Sequence, residues 1–423
     1  MIIPKKLVKC LCFLMLSCLL LTSLTACIMG TQKVKAASLM DDIKANDVTG
    51  KAADSAFTGS TADFSIELFK KAADSKDNSL VSPISVLLAL SMTANGANGE
   101  TLSQMEKVLG GSISIDKLNE YLYSYVQSLP SSKKSKLSIA NSIWFRNEQN
   151  HLKVEQDFLQ KNADYYNAAA YSSSFDDQTL KDINSWVKNN TGGMIDSILS
   201  RISPSAVMYL INAVTFDAEW ERIYETTDIR NDYFITLDGK KQDAKFMSSD
   251  EGLYIDDGKA TGFIKNYSGG SYSFAAILPN TDVDINTYLA DMTGDSFMNT
   301  IKNAKKEAVR ASIPKFSYDY SIELNETLKS MGMPLAFDED NADFKRLGTS
   351  SLGNIYIGEV LHKTFISVDE KGTKAGAVTK VEMREKCAAM EGHVVFLNRP
   401  FIYAIIDNST GLPVFIGKLM SIE

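Results

Sequence analysis

The sequence predicts an α+β fold. Helical periodicity dominates its first third, strand-like runs rich in Ile, Val, Phe and Tyr dominate the rest, and the two mix without a regular strand–helix–strand rhythm. The chain has 423 residues, 44% hydrophobic and 23% charged with nine prolines, enough for one large domain or two modest ones. A formal charge of −8, with no long Lys/Arg run after the first few residues, argues against nucleic acid as a partner, because neutralising phosphates needs a basic face.

The N-terminus comes first in the chain. Lys5, Lys6 and Lys9 precede an apolar run from Leu11 to Leu24, the pattern of a secretory signal. The run ends at "LTAC", Leu24 to Cys27, which resembles the bacterial lipoprotein box. In that box the cysteine receives a thioether-linked diacylglycerol and becomes the first mature residue. Residues 1–26 are then a signal peptide, and Cys27 anchors the protein to the outer face of a bacterial membrane. The alternative is a plain signal cut near Val34–Ala37, giving a freely secreted protein. The apolar stretch ends directly at Cys27 and leaves Ala36 distant, which favours the anchor. Residues 27–60 are small, polar and weakly patterned, as expected of a flexible tether before a folded domain over 61–423.

Of the five cysteines, Cys10, Cys12 and Cys18 fall in the signal, Cys27 is the lipidation candidate, and Cys387 alone remains. No intramolecular disulfide and no cysteine-based metal site are therefore expected. His151, His362 and His393 are far apart in sequence, so neither a metal nor any other cofactor is expected.

Within the domain, "TADFSIELFKKAADSKDNS" spaces Phe64, Ile66, Leu68 and Phe69 as a helix, with Thr61 as its cap. "SPIS", Ser82 to Ser85, opens a second helix, its proline in the first turn. "LSIANSIWF", "AVMYLINAVTF", "YSFAAILPN" and "VRASIPKFSY" read as strands. A helix in "TLKDINSWVKNNTGGMIDSIL" ends at Gly192-Gly193, and the C-terminal segment reads as two strands joined by "DNSTG".

One stretch fits none of these classes. From Thr373, alternate residues are Thr373, Ala375, Ala377, Thr379, Val381 and Met383, all small or apolar, and the intervening set carries the charge. Side chains of a strand alternate between faces, so one face of this segment can enter a core. Gly372 and Gly376 weaken it as a settled strand, and "REKCAAMEGH" after it is loop-like. Two readings stay open: an amphipathic strand followed by a long surface loop, or a loop that becomes a strand.

At this point the sequence resembles the serpin family, over essentially all of Thr61 to Glu423. "NSLVSPISVLLALSMTANGANGET", "INSWVKNNTGGMI", "LINAVTFDAEW", "IPKFSYDYSIELNETLKSMGMPLAFDEDNADF", "HKTFISVDEKGT" and "LNRPFIYAIIDNSTGLPVFIGKL" carry the resemblance in order. Departures are Gly193-Met194 in place of the usual lysine and Asp217-Ala218 in place of Lys-Gly. The resemblance implies three β-sheets, about nine helices, and a metastable native state with an exposed reactive centre loop. It implies a suicide-substrate inhibitor of serine proteases, with papain-like cysteine proteases as a further class of target, and not an enzyme. The target attacks the loop, and the cleaved loop inserts as a central strand and traps the covalent acyl complex. A monomer is expected. The alternative is a non-inhibitory serpin-fold protein, a binding or chaperone-like surface molecule.

The resemblance also implies residue roles. Glu370, Gly372, Thr373, Ala375, Ala377 and Thr379 match the hinge, whose small inward residues favour an inhibitor; Lys374 and Gly376 depart from the pattern on the outward face. Counting from Glu370 places the reactive bond at Lys386-Cys387, suited to proteases with an acidic primary pocket. Counting back from "NRPF" falls near Ala388 or Ala389, so Arg384, Ala388, Ala389 and Met390 remain alternatives. Ser82, Ser85, Asn212 and His362 match a cluster beneath the opening sheet, and Trp220 the aromatic where insertion starts. Cys387, beside Lys386 and Arg384, is either a reactive thiol or a spectator after the bond. A surface hydrolase is not supported, since no G-x-S-x-G or H-E-x-x-H occurs.

Overall fold

The computed structural model describes residues 33–147, 151–204, 206–351, 353–373 and 392–422. Among them are nine α-helices, an eight-stranded, a six-stranded and a four-stranded sheet, and a two-stranded pair of Leu152–Val154 with Gly348–Ser350. The α+β expectation holds, and so does the expectation of three principal sheets.

The eight-stranded central sheet runs, across its width, Ala37–Ser38, Ala169–Ser173, Ser135–Arg146, Met208–Glu219, Gly372–Thr373, Glu359–Val368 and Phe316–Glu323, with Ser131–Ser132 paired to Ser135–Arg146. Beneath it lies the helix Pro83–Ala94, all twelve residues buried, between this sheet and the six-stranded one. Its composition, "PISVLLALSMTA", is apolar or small on every side, as a helix enclosed between layers requires. The strands Phe401–Asp407 and Pro413–Leu419 are buried along their whole length, which explains their unbroken apolar runs. Their "DNSTG" connection is a turn in which the Asp407 carboxylate accepts from Ser409 and Thr410.

A smaller core of Trp144, Ile183, Trp186, Val187, Tyr209 and Ile211 packs the helix Asp177–Asn190 onto the opposite face of the central sheet.

The N-terminal expectation needs correction. The first helix spans Ser55–Ala72, and its cap is Asp54, whose carboxylate accepts from the amides of Ala56 and Phe57; Thr61 is buried inside it. Gly59, a poor helix former, masks this start in the sequence. Nor is 33–54 a free tether. The amides of Lys35 and Ala36 donate to Asp182 at 3.0 and 2.7 Å, Ala37–Ser38 pairs with Ala169–Ser173, and Leu39, Met40 and Ile43 pack on the main core. Further along, Asn46 donates to Asp164 and the Lys51 amide to the Glu120 carbonyl. Docking of this kind rests on backbone bonds and scattered apolar residues, so it leaves no periodic trace in the sequence. Cys27 lies outside the described residues.

Candidate functional site

Two strands of the central sheet, Met208–Glu219 and Glu359–Val368, run parallel and pair directly only over Tyr209–Val214 and Glu359–Thr364. Above that level Gly372–Thr373 lies between them, antiparallel to both. Gly372 pairs with Glu219, and Thr373 pairs with Ala218 on one side and Val368 on the other. A Cβ on Gly372 would stand 1.9 Å from the Ala218 carbonyl oxygen, so the close approach admits only glycine. Thr373 is 1% exposed, and its hydroxyl lies 2.5 Å from that of Tyr267.

The preceding residues are held by a dense set of bonds. The Asp369 carboxylate accepts from the amides of Lys371 and Gly372. The Trp220 indole donates to the Asp369 carbonyl at 2.9 Å, and the backbone amides of Trp220 and Tyr224 donate to the carbonyls of Lys371 and Glu370. Glu370 pairs with Lys315, whose hydrogen bond holds the Glu370 carboxyl below its ordinary range. The structure thus brings Glu370, Gly372, Thr373 and Trp220 together. Ala375, Ala377, Thr379, Arg384, Lys386, Cys387, Ala388, Ala389 and Met390 lie outside the described residues. His393–Phe396 forms one edge of the four-stranded sheet, parallel to Val309–Pro314.

Sequence reasoning missed the support behind Trp220. Its ring stacks on Tyr267 with centroids 4.5 Å apart, and Lys265 Nζ lies 5.5 Å from the Trp220 ring and 4.6 Å from that of Tyr224. Lys265 is 2% exposed and pairs with Glu251 at 2.8 Å, while Ser249 donates to the same carboxylate. Burial pushes the Tyr224 phenol up. A lysine in "ATGFIKN" gives no hint that it is buried. Breaking this pair leaves an uncompensated cation: Glu251→Gln is expected to destabilise the protein by about 3–5 kcal/mol, and adding Lys265→Met to recover most of it, as read from denaturant midpoints.

Below the hinge, a polar cluster lies under the directly paired part of the two strands. Ser82 N–H donates to His362 Nε2 at 3.1 Å, so the ring proton sits on Nδ1 and donates to Asn212 Oδ1 at 2.5 Å. Asn212 Nδ2 donates to the Ser85 carbonyl at 2.9 Å, to the Ser85 hydroxyl, and to Asn141 Oδ1. The Ser82 hydroxyl donates to the Val414 carbonyl at 2.7 Å. Asn141, Asn212 and His362 are neighbours across three adjacent strands, so the cluster ties these strands to one another and to the start of the helix beneath. His362 is fully buried, and burial holds its pKa down at about 3, so the ring is neutral. The structure brings Ser82, Ser85, Asn212 and His362 together. Asn141 was missed, although its signal was present: in Leu137, Ile139, Asn141, Ile143, Phe145, one polar residue interrupts an apolar alternate set.

Among the described residues no group of His, Cys, Asp and Glu could hold a metal ion, and no helix is long and apolar enough to cross a membrane.

A family model described as "Serpin (serine protease inhibitor)" matches residues 59–422. The chain belongs to the serpin family. It is 56% identical to a thermophilic serpin, tengpin, solved in its native state, with a TM-score of 0.89 over 92% of this chain and 100% of that one. Against the latent state of tengpin the figures are 55% identity and 0.79, covering 89% and 100%. An uncharacterized serpin-like protein of Thermococcus kodakarensis is 30% identical over 85% of this chain and 84% of its own length. The score is higher against the native form than against the latent one, and in this serpin's central sheet Tyr209–Val214 pairs directly with Glu359–Thr364. Serpins are generally protease inhibitors and mostly not catalysts.

Proposed function

We propose that this serpin is a suicide-substrate inhibitor of serine proteases, and secondarily of papain-like cysteine proteases, that traps its target by inserting its reactive loop. The observation that carries this reading is the position of Gly372–Thr373, in register between Ala218 and Val368 at the mouth of a gap between two parallel strands. Continued along that line with a period of two, Ala375, Ala377 and Thr379 fall on the face of Thr373, and none is large enough to obstruct entry. Further insertion must separate six paired positions between Tyr209–Val214 and Glu359–Thr364, which gives the His362–Asn212 cluster a gating role. The inserted strand gains ladder hydrogen bonds on both sides, each worth about 0.5–1.5 kcal/mol net.

The reactive bond we assign is Lys386-Cys387. The protease nucleophile adds to the Lys386 carbonyl carbon, the bond to the Cys387 nitrogen breaks, and that nitrogen leaves with a proton. The acyl-enzyme remains on Lys386, which insertion then carries away. The protein acts as a monomer, tethered through lipidated Cys27 on the outer face of the membrane; secretion without a lipid is the alternative. The test incubates the protein lacking its signal with trypsin, elastase and subtilisin. A covalent complex that survives denaturation, with a released peptide beginning at Cys387, is expected with trypsin. A peptide starting after Arg384, Ala388, Ala389 or Met390 would move the bond. Cleavage by every protease without lost protease activity would overturn inhibition in favour of a binding or chaperone-like role.

A further inference from the structure

Strand register puts the N-terminal segment and the hinge at opposite ends of the central sheet. At one end Thr373 pairs with Ala218. At the other, Ala37 pairs with Ser172, Ser172 with Phe145, and Phe145 with Met208. Met208 and Ala218 lie on one strand, about 33 Å apart at the usual rise per residue. Upstream of Ala37 the chain stays docked. The Ala36 and Lys35 amides are fixed on Asp182, which is 3% exposed, and Val34 packs against the small core around Trp144 and Trp186.

This docking shortens the spacer to any anchor at Cys27. The six links from Cys27 to Lys33 span at most about 20 Å fully extended. A single domain of this length has a diameter of about 50 Å, more than twice that reach. A 34-residue free tether would let such a domain tumble over the membrane; a spacer this short does not.

We infer that the anchored protein sits on the bilayer in one orientation, with the Arg146–Met208 end of its central sheet toward the lipid and the hinge end directed away from it. This rests on the lipid-anchor reading of Cys27. The acidic net charge of the chain gives an anionic bilayer no general attraction for the protein, so the docked segment and its short spacer set the orientation. The partner surface is thus a phospholipid bilayer, and the loop is presented to proteases arriving from the aqueous side.

The test uses the full lipidated protein, purified from membranes and reconstituted into phosphatidylcholine–phosphatidylglycerol vesicles carrying a headgroup-labelled acceptor. In a Cys387→Ser background, a donor dye is placed by Lys133→Cys or by Glu326→Cys. Lys133 is exposed in the turn before Ser135, which pairs with Ala218 at the hinge end. Glu326 is exposed at the other end, next to Asn325, which donates to the Gly358 carbonyl. Energy transfer is expected to be severalfold greater from Glu326→Cys. Inserting a Gly/Ser spacer of about 20 residues between Gln32 and Lys33 is expected to erase most of that difference. Equal transfer from both sites without the spacer would overturn the orientation while leaving the anchor intact. Failure to join vesicles, with a mass lacking diacylglycerol, would instead overturn the anchor.

Discussion

Thr373→Glu is expected to turn this serpin from an inhibitor into a substrate. Mixed with trypsin, the variant should be cleaved in its loop at an undiminished rate, yield little or no complex stable to denaturation, and leave the protease active. Thr373 is 1% exposed between Ala218 and Val368, with the Tyr267 hydroxyl as its polar contact. A carboxylate there finds no free partner in the Lys315 ammonium, which is already paired with Glu370. Burying it unpaired costs several kcal/mol, or expels the hinge from the sheet altogether. In the proposed mechanism insertion races hydrolysis of the acyl-enzyme, so a barrier raised by even 1.4 kcal/mol would slow it about tenfold. Thr373→Val keeps the shape and loses only the contact with Tyr267, at a cost of about 1 kcal/mol, and should still form complex. The two variants separate an effect of buried charge from a general intolerance at this position. Undiminished complex formation by Thr373→Glu would show that insertion does not begin at this hinge.

Some of this site was legible in the sequence because a strand has a strict period. The small alternate residues from Thr373 announce a face made for burial, and the first of them is buried on the expected side. His362 could be read the same way, since Val360, Thr364, Ile366 and Val368 share its face and all are buried. What the sequence hid are features with no period. The Lys265–Glu251 pair joins two sheets through one long side chain, and the docked segment 33–54 is held by amides that any sequence possesses. The fold was read from many short apolar runs. The spacer length was misread because docking through main-chain bonds resembles, in composition, a chain with nothing to dock to.

The second large effect concerns pH. Burial holds the His362 pKa at about 3 in the folded protein, against about 6.5 in an unfolded chain. Between those values the unfolded state binds a proton that the native state refuses. Stability therefore rises with pH across that window: the contribution is whole above pH 6.5 and is lost progressively as pH falls toward 3. The loss amounts to about 2 kcal/mol by pH 5 and is of the order of 5 kcal/mol by pH 3. The structural reason is plain in the cluster. A proton on Nε2 would set one donor against another, because the Ser82 amide already donates to that nitrogen, and Nδ1–H is committed to Asn212. Releasing the Ser82 bond loosens the tie between His362 and the start of the helix beneath, and with it the support of the Asn212 bond that joins the two strands proposed to part for insertion. Acidification should therefore speed both unfolding and spontaneous loss of inhibitory activity. The comparison that isolates this histidine is His362→Gln, whose amide offers one acceptor and one donor but does not titrate in this range. That variant should unfold faster than the parent at pH 7.5, yet its unfolding rate in guanidinium should depend less steeply on pH between 6.5 and 4.5. Parallel slopes for the two proteins would mean that the native cluster accepts the proton without cost, and the gating role assigned to it would then need another origin.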